Sequence, residues 1–222
     1  MFPVRLVIFD MDGLMFDTER IAVDAWRHAG RLLGVEISPD LVIETIGLNR
    51  KDTEATLLRR LGAGFSIEEA RRLRVQYAEE SVSRNGVPVK EGLSALLDSL
   101  DRAGVMKAVA TSTERTRASR LLTLAGMLSR FDAVVCGDEV EHGKPYPDIF
   151  LAAAAKLGVS PTDCMVLEDS ESGLTAAHRA AMRPILVPDL KAPSRDALAL
   201  AFRVFPTLTE VRGFLTAELQ GE

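Results

Sequence analysis

Val4-Arg5-Leu6-Val7-Ile8-Phe9-Asp10-Met11-Asp12-Gly13 decides the fold of this chain. A short run rich in Val, Ile and Phe, stopped by Gly, reads as a strand buried on both faces, as in a parallel sheet. Such a run should not end in two carboxylates. Residues two apart along a strand point to the same side. Asp10 and Asp12 therefore converge beyond the strand's carboxyl end, where open parallel sheets bind ligands. Two like charges held together raise each other's pKa, and the pair persists when a cation, or a proton shared with substrate, relieves it. The other reading is a turn at Asp12-Gly13 that Asp10 caps. The tetrapeptide alone leaves both open.

The chain downstream changes texture twice. From about residue 18 to 84 it reads helical throughout. Ile21, Ala22, Ala25, Trp26, Ala29, Leu32 and Leu33 recur at helical spacing and stop at Gly34. Ser38-Pro39 offers an N-cap followed by proline at the first helical position. A third helix is expected over 53–61, and Ser66 with Glu69 forms a capping-box pattern that opens a fourth, fading at Asn85-Gly86. Four helices without a strand between them suggest a small bundle. From residue 87 on, helices alternate with apolar strands expected at 105–110, 133–136, 164–167 and 185–187, with a short edge strand within 202–205 before a last helix from Thr209. This rhythm calls for an α/β, Rossmann-like, doubly wound parallel sheet. The expected division is a core of residues 1–16 and 87–222 and an inserted four-helix bundle at 17–86, acting as a lid over the strand ends.

Composition narrows the function classes. Apolar residues at 47% are ample for a core, and an excess of Asp+Glu over Lys+Arg (32 against 27) argues against general nucleic-acid binding. No apolar stretch approaches the ~20 residues of a membrane span, and no signal peptide precedes the first strand. Cys136 and Cys164 form no CxxC pair and read as reduced core thiols. A cytoplasmic, monomeric protein without nucleic-acid or membrane partners is expected.

Other strand ends carry polar residues too. Thr111-Ser112-Thr113 follows the 105–110 run, Gly143-Lys144-Pro145 lies in the loop after 133–136, and Glu168-Asp169-Ser170 with Gly173 follows 164–167. Each has a bland alternative: the threonines cap the next helix, Lys144 is a solvated loop lysine, and Glu168 and Asp169 supply helix-start charge. Chance does not readily give four strand ends of one sheet complementary chemistry.

In order and context, Asp10-x-Asp12-Gly13, Thr111, Lys144 and Glu168-Asp169 resemble the four motifs of the haloacid dehalogenase superfamily. The likeness is greatest to the branch with a helical cap after the first motif, which contains beta-phosphoglucomutases and small-metabolite phosphatases. Longer matches extend over residues 9–19, 143–150 and 168–173. The resemblance implies a phosphatase acting on a small phosphorylated metabolite through an aspartyl phosphate. Asp10 is then the nucleophile, and Asp12 the acid and base that protonates the leaving oxygen and takes a proton from water. Thr111, with Ser112, binds a phosphoryl oxygen and Lys144 neutralises it. It implies Mg²⁺ held by the carboxylates of Asp10 and Asp169 and the carbonyl of Asp12, with Glu168 in support directly or through water. Charge counting agrees: a phosphate dianion cannot approach Asp10, Asp169 and Glu168 unless cations intervene, and Mg²⁺ with Lys144 supplies them.

Asp12 argues against a dehalogenase, whose halide leaving group needs no proton. A phosphonatase needs a cap lysine, and Lys51 reads instead as part of a helix start. Mutases of the resembled branch carry a histidine at the position of Ala22, so the phosphatase is preferred over the mutase. Asn49 and Arg50 match a substrate-binding cap loop but do not decide between the two, and His28 reads as a packing or surface histidine. At Ala180-Ala181-Met182, relatives commonly have glycine in the middle, where a helix ends in a left-handed turn.

Overall fold

The computed structural model describes residues 4–48 and 50–220. Among these, six strands pair in parallel: β1 Leu6–Phe9, β2 Met106–Thr111, β3 Ala133–Cys136, β4 Cys164–Glu168, β5 Arg183–Leu186 and β6 Arg203–Val204. Their spatial order is β3-β2-β1-β4-β5-β6. The order reverses direction between β1 and β4, and in open α/β sheets the crevice at such a reversal is the ligand site. The α/β parallel sheet expected from the alternation is the one observed.

The chain divides into two compact units, one made of residues up to Phe16 with those from Val89 on, the other Asp17–Pro88. In the sheet unit, Leu6 and Ile8 join Ala108, Ala110, Val135 and Val166 in one core. Over it lie Ile149, Phe150 and Ala153 of helix α7 (Asp148–Lys156) and Ala176 and Ala177 of α8 (Glu171–Arg179). Alternation sends Val7 and Phe9 to the opposite face, and they too are wholly buried. A strand buried on both faces needs cover on both, and burying each Leu or Ile side chain contributes about 1.5–3 kcal/mol. Helix α5 (Leu93–Arg102) packs on β2, and α10 (Leu208–Gln220) packs on α5. The remaining helices of this unit are α6 (Arg115–Leu124) and α9 (Arg195–Leu200).

In the other unit, α1 (Thr18–Leu32), α2 (Pro39–Glu44), α3 (Arg50–Leu61) and α4 (Ile67–Asn85) enclose Trp26, Ala29, Ile37, Val42, Leu57, Phe65 and Ala70. Ser38 caps α2 through a bond from Leu41 N (3.2 Å), with Pro39 at the first position. The capping box at Ser66 and Glu69 does not form. Arg72 takes both Glu69 oxygens (2.6 and 2.9 Å), so that carboxylate is not free to reach back. His28 stacks on Tyr77 at 4.7 Å, a packing histidine. No helix among the described residues is long and apolar enough to cross a membrane. Both cysteines are buried free thiols, and burial pushes each up to about 11.

Several boundaries differ from expectation, and one helix was not expected. β2 runs one residue further, through Thr111, and β5 begins at Arg183 because its ladder follows Met165 of β4. α3 starts at Arg50, not Thr53, so Arg50 belongs to a helix and not to the cap loop, and Lys51 lies in the helix start read for it. α9 had no counterpart in the sequence reading, and its cap, Ser194, accepts from Ala197 N at 3.2 Å.

Candidate active site

The end of β1 is pinned by its neighbour, since Asp10 N donates to Leu167 O of β4 at 3.0 Å. The chain then turns sharply. Met15 and Phe16 donate to the Met11 carbonyl, and Gly13, at φ +85°, donates to Phe16 O. A side chain there would be strained, which explains the glycine after Asp12. Asp10 and Asp12 thus occupy a rigid turn at the carboxyl edge of the central strand.

Lys144 arrives from the loop between β3 and α7. Its ammonium group bonds to Asp10 Oδ1, to Glu168 Oε1 at 2.6 Å and to the Ala110 carbonyl at 3.1 Å. It also lies 5.0 Å from the centre of the Phe150 ring. Its side chain is only 4% exposed, so it is no solvated loop lysine. Arg179 of α8 donates to the Pro145 carbonyl at 2.9 Å and braces the same loop.

Glu168, the last residue of β4, has no exposed surface. Its other oxygen, Oε2, accepts from Ser170 N (3.1 Å) and Ser170 Oγ (2.8 Å). Ser170, not Glu168, is the N-cap of α8, accepting from Gly173 N at 3.1 Å. Glu168 is therefore not the cap of α8, though its carboxylate lies against the first turn of that helix. Asp169 follows β4 directly, half-buried, beside the same turn.

Thr111, buried at the end of β2, accepts from Thr113 N at 3.1 Å. That leaves its hydroxyl proton to donate. Thr113 Oγ1 donates to Asp12 Oδ2 at 2.7 Å. These threonines do not cap α6: Glu114 holds that position without a side-chain bond, and Asp138 Oδ1 accepts from Arg115 N instead. Ser112 is exposed, and its carbonyl lies where only a glycine at 137 lets the backbones approach, a Cβ there falling 2.3 Å from it. The involvement of Thr113 was missed in the sequence, where a hydroxyl two residues beyond Thr111 carries no signal distinguishing it from a cap.

The charges explain one another only in part. Burial pushes Asp10 up to about 8; Lys144 opposes this, while Glu168 and Asp12 add to it. Burial pulls Lys144 down, but the charges of Asp10 and Glu168 and their hydrogen bonds outweigh that and hold it above its ordinary value. One cation thus serves two carboxylates, and Asp10 is left short of positive charge. Of the oxygens that the resemblance nominates for a metal, Asp10 directly follows β1 and Asp169 directly follows the neighbouring β4. No group of three or more His, Cys, Asp or Glu able to hold a metal occurs among the described residues. A hard cation that keeps several waters and needs only one or two carboxylates fits this set, and Mg²⁺ is such a cation.

In the other unit, Arg50 pairs with Glu54 at 3.1 Å while its own side chain is 74% exposed. Asn49 lies outside the described residues.

Residues 7–187 match the family described as haloacid dehalogenase-like hydrolase. The chain is 32% identical over 182 residues to a phosphorylated carbohydrates phosphatase of Thermotoga maritima, covering 82% of this chain and 84% of that one. It is 32% identical over 211 residues to hexitol phosphatase B of Escherichia coli, covering 94% of each. The crystal structure of a putative beta-phosphoglucomutase from Thermotoga maritima superimposes with a TM-score of 0.79 at 28% identity, over 95% of this chain and 98% of that one.

Proposed function

The chain belongs to the haloacid dehalogenase-like hydrolases, and from that premise we propose that it is a Mg²⁺-dependent phosphatase of small phosphorylated metabolites, sugar phosphates first among them, working through an aspartyl phosphate. The observation that carries this reading is Lys144, buried against Asp10 at the sheet's reversal point. A carboxylate and an ammonium group held there suit a nucleophile and the neutraliser of a phosphoryl oxygen.

An oxygen of Asp10 attacks phosphorus in line, forming the Asp10–phosphorus bond as the ester bond to the leaving oxygen breaks. Asp12 gives its proton to that oxygen. Water then attacks the same phosphorus, Asp12 takes back a proton, and the Asp10–phosphorus bond breaks to release phosphate. Thr111 donates to a phosphoryl oxygen beside the Ser112 backbone, and Lys144 balances its charge. The carboxylates of Asp10 and Asp169 and the carbonyl of Asp12 would hold Mg²⁺, with Glu168 supporting them through Lys144 and the Ser170 turn. When bound, the ion supplies the positive charge that lets a dianion approach these carboxylates.

The inserted unit is proposed to select the substrate, with Asn49 and Arg50 as the binding residues that the family resemblance nominates. A competing mutase reading draws support from the likeness to the phosphoglucomutase structure, against which stands Ala22. The test is phosphate release from 4-nitrophenyl phosphate. Release should need Mg²⁺, stop on chelation and be abolished in Asp10→Asn; inactivity across a broad phosphomonoester panel overturns the reading. Conversion of beta-glucose 1-phosphate to glucose 6-phosphate that outruns hydrolysis would install the mutase instead.

A further inference from the structure

The turn at residues 112–114 joins β2 to α6 and belongs to neither, so no helix or sheet ladder fixes its backbone. On the β2 side it is held by the Thr113 N–H bond to Thr111 Oγ1 and by Thr113 Oγ1, which donates to Asp12. The rest of its hold comes from the end of β3. That strand closes in a single 3₁₀ turn, Gly137–Glu139, and every residue of it reaches the 112–115 stretch. Gly137 N donates to Thr113 O at 3.2 Å, and a Cβ on Gly137 would fall 2.3 Å from Ser112 O. Asp138 Oδ1 accepts from Arg115 N at 2.9 Å. Glu139 Oε2 pairs with Arg115 Nη2 and also accepts from Cys136 N at 2.7 Å. Arg115 Nη2 donates in turn to Val134 O at 2.7 Å, which ties the same side chain to β3 itself.

A helix cap within its own chain segment would need none of this. Asp138 lies 23 residues beyond Arg115, so its bond joins two strand ends as well as serving the first turn of α6. A backbone that receives an anion binds it best when its shape is set beforehand, because ordering it afterwards is subtracted from affinity.

We propose that Asp138 is a positioning residue, which with Gly137 and Glu139 holds the 112–115 backbone in the shape that receives the phosphoryl group. The proposal rests on the phosphatase reading above, in which that group lies at Thr111 beside the Ser112 backbone. Asp138 touches no reacting atom and exchanges no proton. Its bond acts on affinity for phosphate, esterified or free.

The experiment reads both forms, with Mg²⁺ present. Calorimetry gives the Kd of inorganic phosphate, and hydrolysis of 4-nitrophenyl phosphate gives kcat/KM. Asp138→Ala should raise Kd and lower kcat/KM by about threefold to tenfold each, the scale of one net hydrogen bond. Asp138→Asn drops the charge but keeps an acceptor oxygen, and should stay within about twofold of wild type. Gly137→Ala, whose Cβ cannot fit beside Ser112 O, should raise Kd further than Asp138→Ala does. Should Gly137→Ala not fold, the two variants of the exposed Asp138 carry the comparison.

Melting of the unliganded proteins separates this role from that of a cap alone. A lower Tm in Asp138→Ala with Kd and kcat/KM unchanged makes Asp138 a cap of α6 only and overturns the proposal. Losses in Asp138→Asn as large as those in Asp138→Ala overturn it too, because charge and not the hydrogen bond would then act. Wild type that binds phosphate but hydrolyses no ester overturns the phosphatase reading, and the Kd comparison still decides the role of Asp138. Wild type that neither binds nor hydrolyses overturns both.

Discussion

Gly173 stands in the first turn of α8 with the buried Glu168 carboxylate pressed against it. A Cβ at this position would fall 1.9 Å from both the carboxyl carbon and Oε1 of Glu168, and 2.2 Å from Oε2. Glu168 has no exposed surface, and its oxygens are committed to Lys144 and Ser170, so it cannot yield without breaking those bonds. For Gly173→Ala, overpacking costs about 1–3 kcal/mol and separating one partner of a buried ion pair about 3–5 kcal/mol. Alanine's better helix propensity returns only about 1 kcal/mol. The net expectation is a loss of about 3–7 kcal/mol. In a chain of this size each kcal/mol lowers Tm by about 2–4 °C, so the variant should melt at least about 6 °C below wild type. Thermal melting followed by circular dichroism, with urea denaturation for the free energy, makes the measurement. Removing the obstacle should reverse the sign: against Glu168→Ala, the same glycine substitution should be neutral or slightly stabilising. A Gly173→Ala protein melting at or above wild type would refute the account of a close-packed carboxylate at this turn.

Lys144→Met leaves Asp10 and Glu168 buried without their shared cation and should cost about 3–5 kcal/mol in urea denaturation at neutral pH; adding Glu168→Gln should recover part of that. Ala181 has φ +57° at the end of α8, where Met182 N bonds to Ala177 O and Ala181 N to His178 O, the pattern that favours glycine. Ala181→Gly should therefore raise stability by about 1 kcal/mol and Tm by about 2–4 °C. Hydrogen bonds from Lys107 and Arg130 hold the Asp101 carboxyl below its ordinary value. Its folded-state pKa is below its unfolded one, so its contribution is present above the unfolded value near 3.9 and is lost as pH falls through the folded value. Asp101 is 45% exposed, and solvent screening limits the cost of Asp101→Asn to about 1 kcal/mol at pH 7. That gap should close in denaturation curves taken at progressively more acidic pH, and a gap independent of pH would contradict the pairing.

The fold was legible because its decisive elements are apolar and local. β1 and β3 are runs of Leu, Val, Ile, Ala, Phe and Cys with no charged residue, and patterns of that kind survive translation into structure. What failed was chemistry with competing partners. Ser66 and Glu69 have the spacing of a capping box, but Arg72 lies one turn further along the helix and claims the carboxylate. No local pattern reports which of two partners a side chain takes. α9 escaped for a different reason: at six residues, it offers too few turns for periodicity to register.

The site divides along the same line. Asp10, Lys144 and Glu168 come together from β1, the β3–α7 loop and β4, and the strand-end argument placed all three at one edge. Their spacing in sequence says nothing of how they divide the charge. Had Lys144 neutralised Asp10 alone, the nucleophile would need no further cation. Glu168, buried and paired with the same ammonium group, makes the pair a triad with one positive and two negative members. Burial, with Glu168 and Asp12 adding to it and Lys144 opposing, pushes Asp10 up to about 8, a poor state for the anionic attack that the proposed mechanism asks of it. In the proposed mechanism a second cation would restore the anion, while Asp12 accepts a hydrogen bond from Thr113, beyond the end of the neighbouring strand. Two aspartates two residues apart thus come under different control. Lys144 and added positive charge would govern the one proposed to attack, and Thr113 donates a hydrogen bond to the one proposed to carry the proton.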